Sequence, residues 1–263
     1  MTHTAAEGEI TGEKATILAA ANAVLLWRIL AGARGHRFID RGSFAAADAS
    51  SGQGGLRIIV RQEMDKYSGP HAEIAGLIAG QRGRAVVEDP FGTLDLSELG
   101  LTAEAYPLMI RQSPGGNLAG VPDVLVVRAN DPEKLALMEE VIVTGFPQRR
   151  FQPYVRGAMC PPVLLGTEGL MGYLALRGGE PAGGCVTLSA DGAAGVHWVV
   201  TLPEHRSHGV GRALMHTALR DLGSVPVTLV ATEAGFPLYR SLGFRTAGHT
   251  AWWRVRSQQH RAT

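Results

Sequence analysis

Cysteine is nearly absent from this 263-residue chain: only Cys160 and Cys185 occur. A disulfide scaffold and a cysteine-rich metal site are therefore excluded, and reduced thiols in a cytosol are expected. No His/Cys/Asp cluster has metal-ligand spacing, so no metal is expected. An excess of one charge is also missing. Twenty-five Lys and Arg against 24 Asp and Glu leave a net charge of +1, which gives no electrostatic case for nucleic acid or a membrane surface as partner. Long apolar runs are scarce. The best, Ala15 to Leu30, is interrupted by Arg28, and the uncharged run after Lys14 is 13 residues, against roughly 20 needed to cross a bilayer. A buried or half-buried helix over 15–32, stopping near Gly32, is expected instead. The N-terminus MTHTAAEGEI has no basic segment of the kind that opens a secretory signal. Cytoplasmic localisation follows as the expectation.

What is present is apolar material, 45 % of residues, with 19 % charged. Disordered chains show the reverse balance. At about 150 residues per domain the length allows one large domain or two small ones. Ser113-Pro-Gly-Gly-Asn-Leu-Ala-Gly-Val-Pro122 will sustain neither a helix nor a central strand. It divides the chain into 1–112, a linker at 113–122, and 123–263. The first part gives a strand at 56–61, a helix at 71–79 ended by Gly80, and a strand at 104–111. Pro107 argues for a sheet edge in that last strand. The second part reads β-α-β-β-β-α-β-α-β. Asp131-Pro132 opens its first helix as N-cap and first-turn proline. Asp191-Gly192 marks a hairpin. The fold class is therefore α/β or α+β, a mixed central sheet flanked by helices with a second N-terminal α/β domain.

One segment carries chemistry. Val196–Thr201 runs into Pro203-Glu-His-Arg206-Ser207-His208-Gly209-Val210-Gly211-Arg212 and then an Ala/Leu-rich helix. This places unpaired backbone N–H groups, aided by the helix dipole, at a helix N-terminus, which suits a phosphate. Gly209 and Gly211 carry no Cβ to hold a phosphate away, and Arg206 and Arg212 add positive charge. The pattern is not a P-loop, which needs GxxxxGK[ST]. It is not a dinucleotide fingerprint either, because the third glycine and the ribose-binding acid are missing. Along 196–201 the alternation places Trp198 and Val200 on one face of the strand and His197 and Val199 on the other. His197 is the only titratable side chain there.

Arg206-x-x-Gly209-x-Gly211 resembles the pyrophosphate-binding motif of the Gcn5-related N-acetyltransferase (GNAT) superfamily. Ala231–Phe244, with Tyr239 and a closing Leu242-Gly243-Phe244, is similar to that family's second signature. The resemblance spans about 123–256. It implies a GNAT domain with acetyl-CoA between the strands at 196–201 and 225–231. Backbone groups of Val199, Val200 and Thr201 would face the pantetheine and acetyl carbonyl. Ser207 to Arg212, including His208 and Val210, would hold the pyrophosphate, and Tyr239 would protonate the leaving thiolate. Many members place an asparagine seven residues before the tyrosine, where this chain has Thr232, whose hydroxyl can replace part of that hydrogen bonding. The base usual on the central strand is missing. His197 is the first candidate, as base or substrate contact, with Glu168 and Glu233 behind it; a structural His197 is the competing reading. In the first half, Leu99-Gly100-Leu101 before a closing strand echoes Leu242-Gly243-Phe244, which suggests a degenerate GNAT-like copy that shapes the acceptor pocket. The implied activity is acetyl transfer from acetyl-CoA to a primary amine of a small molecule by direct attack on the thioester. A peptide acceptor or a non-catalytic acyl-CoA sensor remains an alternative. The sequence does not fix oligomeric state; a homodimer is compatible with it.

Overall fold

The computed structural model describes residues 9–49, 54–65, 68–81, 85–112, 121–146 and 149–255; most of the expected linker, 113–120, lies outside them. The first half contains α1 (Gly12–Ala33), β1 (Arg37–Asp40), β2 (Phe44–Ala49), β3 (Gly55–Val60), α2 (Gly69–Ala79), β4 (Ala85–Asp89) and β5 (Leu101–Arg111). The second contains β6 (Val124–Arg128), α3 (Pro132–Gly145), β7 (Leu170–Arg177), β8 (Glu180–Ala190), β9 (Ala193–Thr201), α4 (Val210–Leu222), β10 (Val227–Val230), α5 (Phe236–Ser241) and β11 (Arg245–Val255). The expected order of the second half is thus observed. Asp131 caps α3 by accepting from Lys134 N at 2.8 Å, which leaves one of the orphan amides of the first turn satisfied.

All strands join one sheet in the order β1-β2-β3-β4-β11-β5-β10-β9-β8-β7-β6. The halves are interleaved in it. β11 comes from the second half and lies between β4 and β5 of the first; β5 comes from the first and lies between β11 and β10 of the second. β5 and β11 pair antiparallel along their lengths, with Tyr106 opposite Thr250. Each strand leaves a glycine turn in the left-handed region, Gly100 at φ 76° and Gly243 at φ 84°, a conformation that glycine adopts without Cβ strain. The Leu-Gly-Leu and Leu-Gly-Phe segments therefore make equivalent turns, each leading into one of these two paired strands.

Pro107 is not at an edge: its strand is central, with neighbours on both sides. The place is tolerated because β10 pairs with β5 only as far as Val230–Leu108. Ala231 N still donates to Pro107 O at 2.9 Å; only the return bond, which needs an N–H, is unmade.

Helices α1 and α3 cover one face over a core that includes Leu26, Leu30, Met138, Ile142, Leu174 and Val186. Helices α4 and α5 cover the other, over Met215, Leu229, Tyr239 and Phe244. Helix α1 is long and apolar enough to cross a membrane by length and composition. Here it packs on β2, β8, β9 and β11 and buries Ala15, Ala20, Val24, Leu26, Leu30 and Ala31. Asn22, buried within it, donates to Leu188 O at 2.9 Å.

Candidate functional site

The central parallel pair comes apart. β9 and β10 are in register only at Ala194–Val227 and Gly195–Thr228. Beyond that, β9 continues to Thr201 beside β8 while β10 continues beside β5. The edge of β9 from 196 to 201 thus leaves its ladder with β10, and a wedge opens where backbone donors and acceptors need another partner. The first half shows the contrast. Its parallel pair, β3 and β4, stays in register through four positions, Leu56–Ala85 to Ile59–Glu88.

At this wedge the β8–β9 ladder contains a bulge between Gly184–Val200 and Val186–His197. Trp198 sits there at φ 52°, a conformation that costs a non-glycine residue about 1–3 kcal/mol. The expected alternation therefore fails. His197 meets α1 through Asn22, and Trp198 meets α1 through Trp27, edge to face at 6.2 Å. Val199 turns to the opposite face, against the cluster of Val210 and Leu214. Val200 returns to the α1/α3 core, so only its backbone is left for a ligand. An extra residue in one strand shifts every later side chain to the other face, which periodicity alone does not reveal.

Helix α4 opens on this wedge. Its N-cap is Gly209, at φ 77°, with no side-chain cap. Ala213 N is the first amide to reach back, to Gly209 O at 2.9 Å. The amides of Val210, Gly211 and Arg212 are thus left for another acceptor. Ser207 also has positive φ, 64°, so the turn 206–209 is tightly wound. Arg206, Ser207, His208 and Arg212 are exposed. Arg212 donates to Ser241 Oγ at 3.1 Å. A Cβ on Gly211 would lie 3.2 Å from Leu238 Cδ2 and 3.5 Å from Thr201 Oγ1, so a side chain there requires Leu238 to shift by a few tenths of an ångström. Helix α2 of the first half differs again: Ser68 caps it, accepting from His71 N at 3.4 Å. Its parallel strands stay paired and its helix start is closed, so among the described residues the first half lacks both parts of the site.

Tyr239 of α5 is buried beneath the wedge, with its ring edge-on to Phe244 at 6.0 Å. Burial, with a smaller contribution from Cys185, holds its phenol well above the usual range. It is a protonated acid at neutral pH. Thr232, exposed at the start of the β10–α5 turn, accepts from Gly235 N at 3.3 Å and keeps its own hydroxyl proton for another acceptor. Cys185 is fully buried, and burial pushes its thiol up to about 12; it is an inert core residue.

His197 Nε2 lies 2.9 Å from Asn22 Oδ1. Because the Asn22 amide nitrogen is committed to Leu188 O, the imidazole is the donor to Asn22. Burial, and then the charge of Arg57, lower its pKa to about 4. Glu168 and Glu233 are exposed. Among the described residues no group of three or more His, Cys, Asp or Glu could hold a metal ion.

Sequence reasoning missed two contributors. Asn22 fixes His197 from 175 positions away. Glu139 of α3, wholly buried, accepts from Gly157 N, Met159 N and Cys160 N at 2.6, 2.6 and 2.8 Å. It pins the 157–160 loop, whose Cys160 lines an apolar cavity together with Trp198. An acid in an apolar helix face was the only available signal.

Residues 169–246 match the family model described as an acetyltransferase (GNAT) domain. No curated protein matches the chain. A GCN5-related N-acetyltransferase from Kribbella flavida superposes with a TM-score of 0.65 at 18% identity, covering 94% of this chain and 98% of that one. A GNAT-family acetyltransferase from Novosphingobium aromaticivorans gives 0.51 at 16%, covering 82% and 89%. A tandem GNAT protein from the clavulanic acid biosynthesis pathway gives 0.50 at 15%, covering 82% and 79%. At these identities the likeness speaks to fold. Residues 169–246, in the second half, match a GNAT acetyltransferase domain model, and the chain as a whole shares its fold with GNAT proteins, its two halves joined through β5 and β11.

Proposed function

We propose that the protein transfers an acetyl group from acetyl-CoA to a primary amine of a small molecule. The observation that carries this reading is the coincidence of the β9–β10 wedge with the uncapped start of α4. The wedge offers an unpaired strand edge to the amide groups of pantetheine. The amides of Val210, Gly211 and Arg212 and the helix dipole offer donors to the pyrophosphate. Arg206 adds charge, Ser207 and His208 flank the turn, and Thr232 donates its hydroxyl to the pantetheine arm.

The chemistry needs a neutral amine, a stabilised oxyanion and a protonated leaving group. Backbone N–H groups at the 198–200 bulge supply the oxyanion contact, because the bulge turns backbone out of the β8 ladder. Attack of the amine nitrogen on the thioester carbon forms the C–N bond. Collapse breaks the C–S bond, Tyr239 passes its proton to the departing sulfur, and the nitrogen gives up its extra proton to water, from which Tyr239 is reprotonated. His197 is assigned a positioning role. With its pKa lowered to about 4 and Nε2 donating to Asn22, it is a weak base toward an ammonium ion, so the amine sheds its proton to water before attack. The unit 1–112 completes the acceptor side through α1. We place the protein in the cytoplasm, in keeping with its two free cysteines.

Calorimetry with acetyl-CoA and a thiol-release assay over simple amines, polyamines, aminoglycosides and peptides test the reading. Micromolar cofactor binding with amine-dependent thiol release is expected. Absence of cofactor binding overturns it; binding without release on any acceptor favours an acyl-CoA sensor.

A further inference from the structure

A partly open apolar cavity of about 110 Å³ lies on the face of the sheet covered by α1 and α3. Leu26 and Leu30 of α1, Leu135 and Met138 of α3, and Leu164 wall it, and Trp198 closes it at the bulge. None of its lining residues carries a charged side chain. Cys160, also at the wall, stays a neutral thiol because burial pushes it up to about 12. The cavity therefore abuts the residue at which β9 bulges beside the wedge, and both halves of the chain build it.

We propose that this cavity receives an aliphatic group of the acceptor, so that the substrate is a compact apolar monoamine and not a polycation. The proposal rests on the acetyl-transfer reading above and names its acceptor class. Two arguments carry it. The first is size: an apolar cavity of about 150 Å³ holds benzene, so this one suits a chain of about four carbons. The second is charge. A cavity with no carboxylate cannot stabilise additional ammonium groups, whose burial is costly without a partner. The same desolvation favours the neutral form of the reacting amine, which suits a site whose only strand imidazole is a weak base.

The test measures kcat/KM for n-alkylamines from methylamine to hexylamine, isopentylamine, spermidine and kanamycin at saturating acetyl-CoA. Calorimetric binding of the same amines is read with and without CoA, and acetyl-, butyryl- and hexanoyl-CoA are compared as donors. The specificity constant is expected to rise about fourfold per methylene until the cavity is full, with spermidine and kanamycin no better than methylamine. Leu30→Phe should erase the gain for butylamine without changing acetyl-CoA affinity, and Leu30→Ala should move the optimum to longer chains. Circular dichroism reports folding of both variants, and the wild-type alkyl series decides the matter if neither folds. A flat alkyl series, preference for the polycations, or butyryl or hexanoyl transfer that tracks Leu30 size overturns the proposal. If acetyl-CoA does not bind, the transferase reading fails, and alkylamine binding to the free protein still tests the cavity: weaker binding of isopentylamine than of spermidine overturns it.

Discussion

His197 and Trp198 are consecutive, yet both side chains meet the same helix, the first through Asn22 and the second through Trp27. The β-bulge at Trp198 makes this possible. It brings the imidazole and the indole to the face covered by α1 while turning Val199 toward the helix that begins at the glycine turn.

The glycine turn makes a direct prediction. In Gly211→Glu the new side chain starts against Leu238 and Thr201 and brings a negative charge to the start of α4, so acetyl-CoA binding by calorimetry should be lost or weakened by more than about 100-fold, with circular dichroism confirming that the variant folds. Equal affinity in both proteins would remove the cofactor assignment.

Tyr239→Phe keeps the ring against Phe244 and removes only the hydroxyl. The melting temperature and acetyl-CoA affinity should change little. Turnover should fall by about 10²-fold or more, with kcat and kcat/KM falling together. Full activity in the variant would show that the thiolate departs without it.

His197 links stability to pH. Its folded pKa, about 4, is below the ordinary value of about 6.5, so the unfolded chain binds the proton more tightly. Its contribution is constant above about pH 6.5 and is lost as pH falls toward 4, by on the order of 3 kcal/mol at most. Urea unfolding of the native protein and His197→Gln between pH 4 and 8 should show a shallower acid loss in the variant. Identical slopes would contradict the assignment.

Glu139 holds three backbone amides of the 157–160 loop. Glu139→Gln presents an amide to donors that need an acceptor. It should cost about 2–4 kcal/mol in urea unfolding and raise KM for the acceptor more than for acetyl-CoA. An unchanged midpoint would show that the remaining amide oxygen satisfies the loop without the carboxylate.

The strand exchange predicts that residues 121–263 expressed alone expose both edges of β11 and one of β10, and that this fragment aggregates. Co-expression with 1–112 should restore a soluble complex on gel filtration. A monomeric, folded 121–263 would show that β5 is dispensable.

Local chemistry made much of this protein legible. The second half reads correctly in order because its strands are apolar runs bounded by Gly, Pro and Asp, and its helices carry caps such as Asp131 and Gly209. Arg206-x-x-Gly209-x-Gly211 announced a helix start without a side-chain cap. The first half was less legible. β2 is Phe-Ala-Ala-Ala-Asp-Ala, whose small residues carry no period-2 signal, and β1 has only four residues.

Pairings between distant segments could not be read. The bulge at Trp198, the central place of Pro107, the Asn22–His197 bond and the cavity beneath α1 all depend on which strand lies beside which. Composition, periodicity and turn residues act over a few positions, and these fix the elements and the glycine turn at 206–211. Strand order and side-chain facing follow from burying both halves against one sheet, an energy summed over residues far apart in the chain. The sequence alone therefore determined the order of elements in the second half and the glycine turn before α4, while tertiary packing decided where β5 and β11 cross and which side chains of β9 face α1.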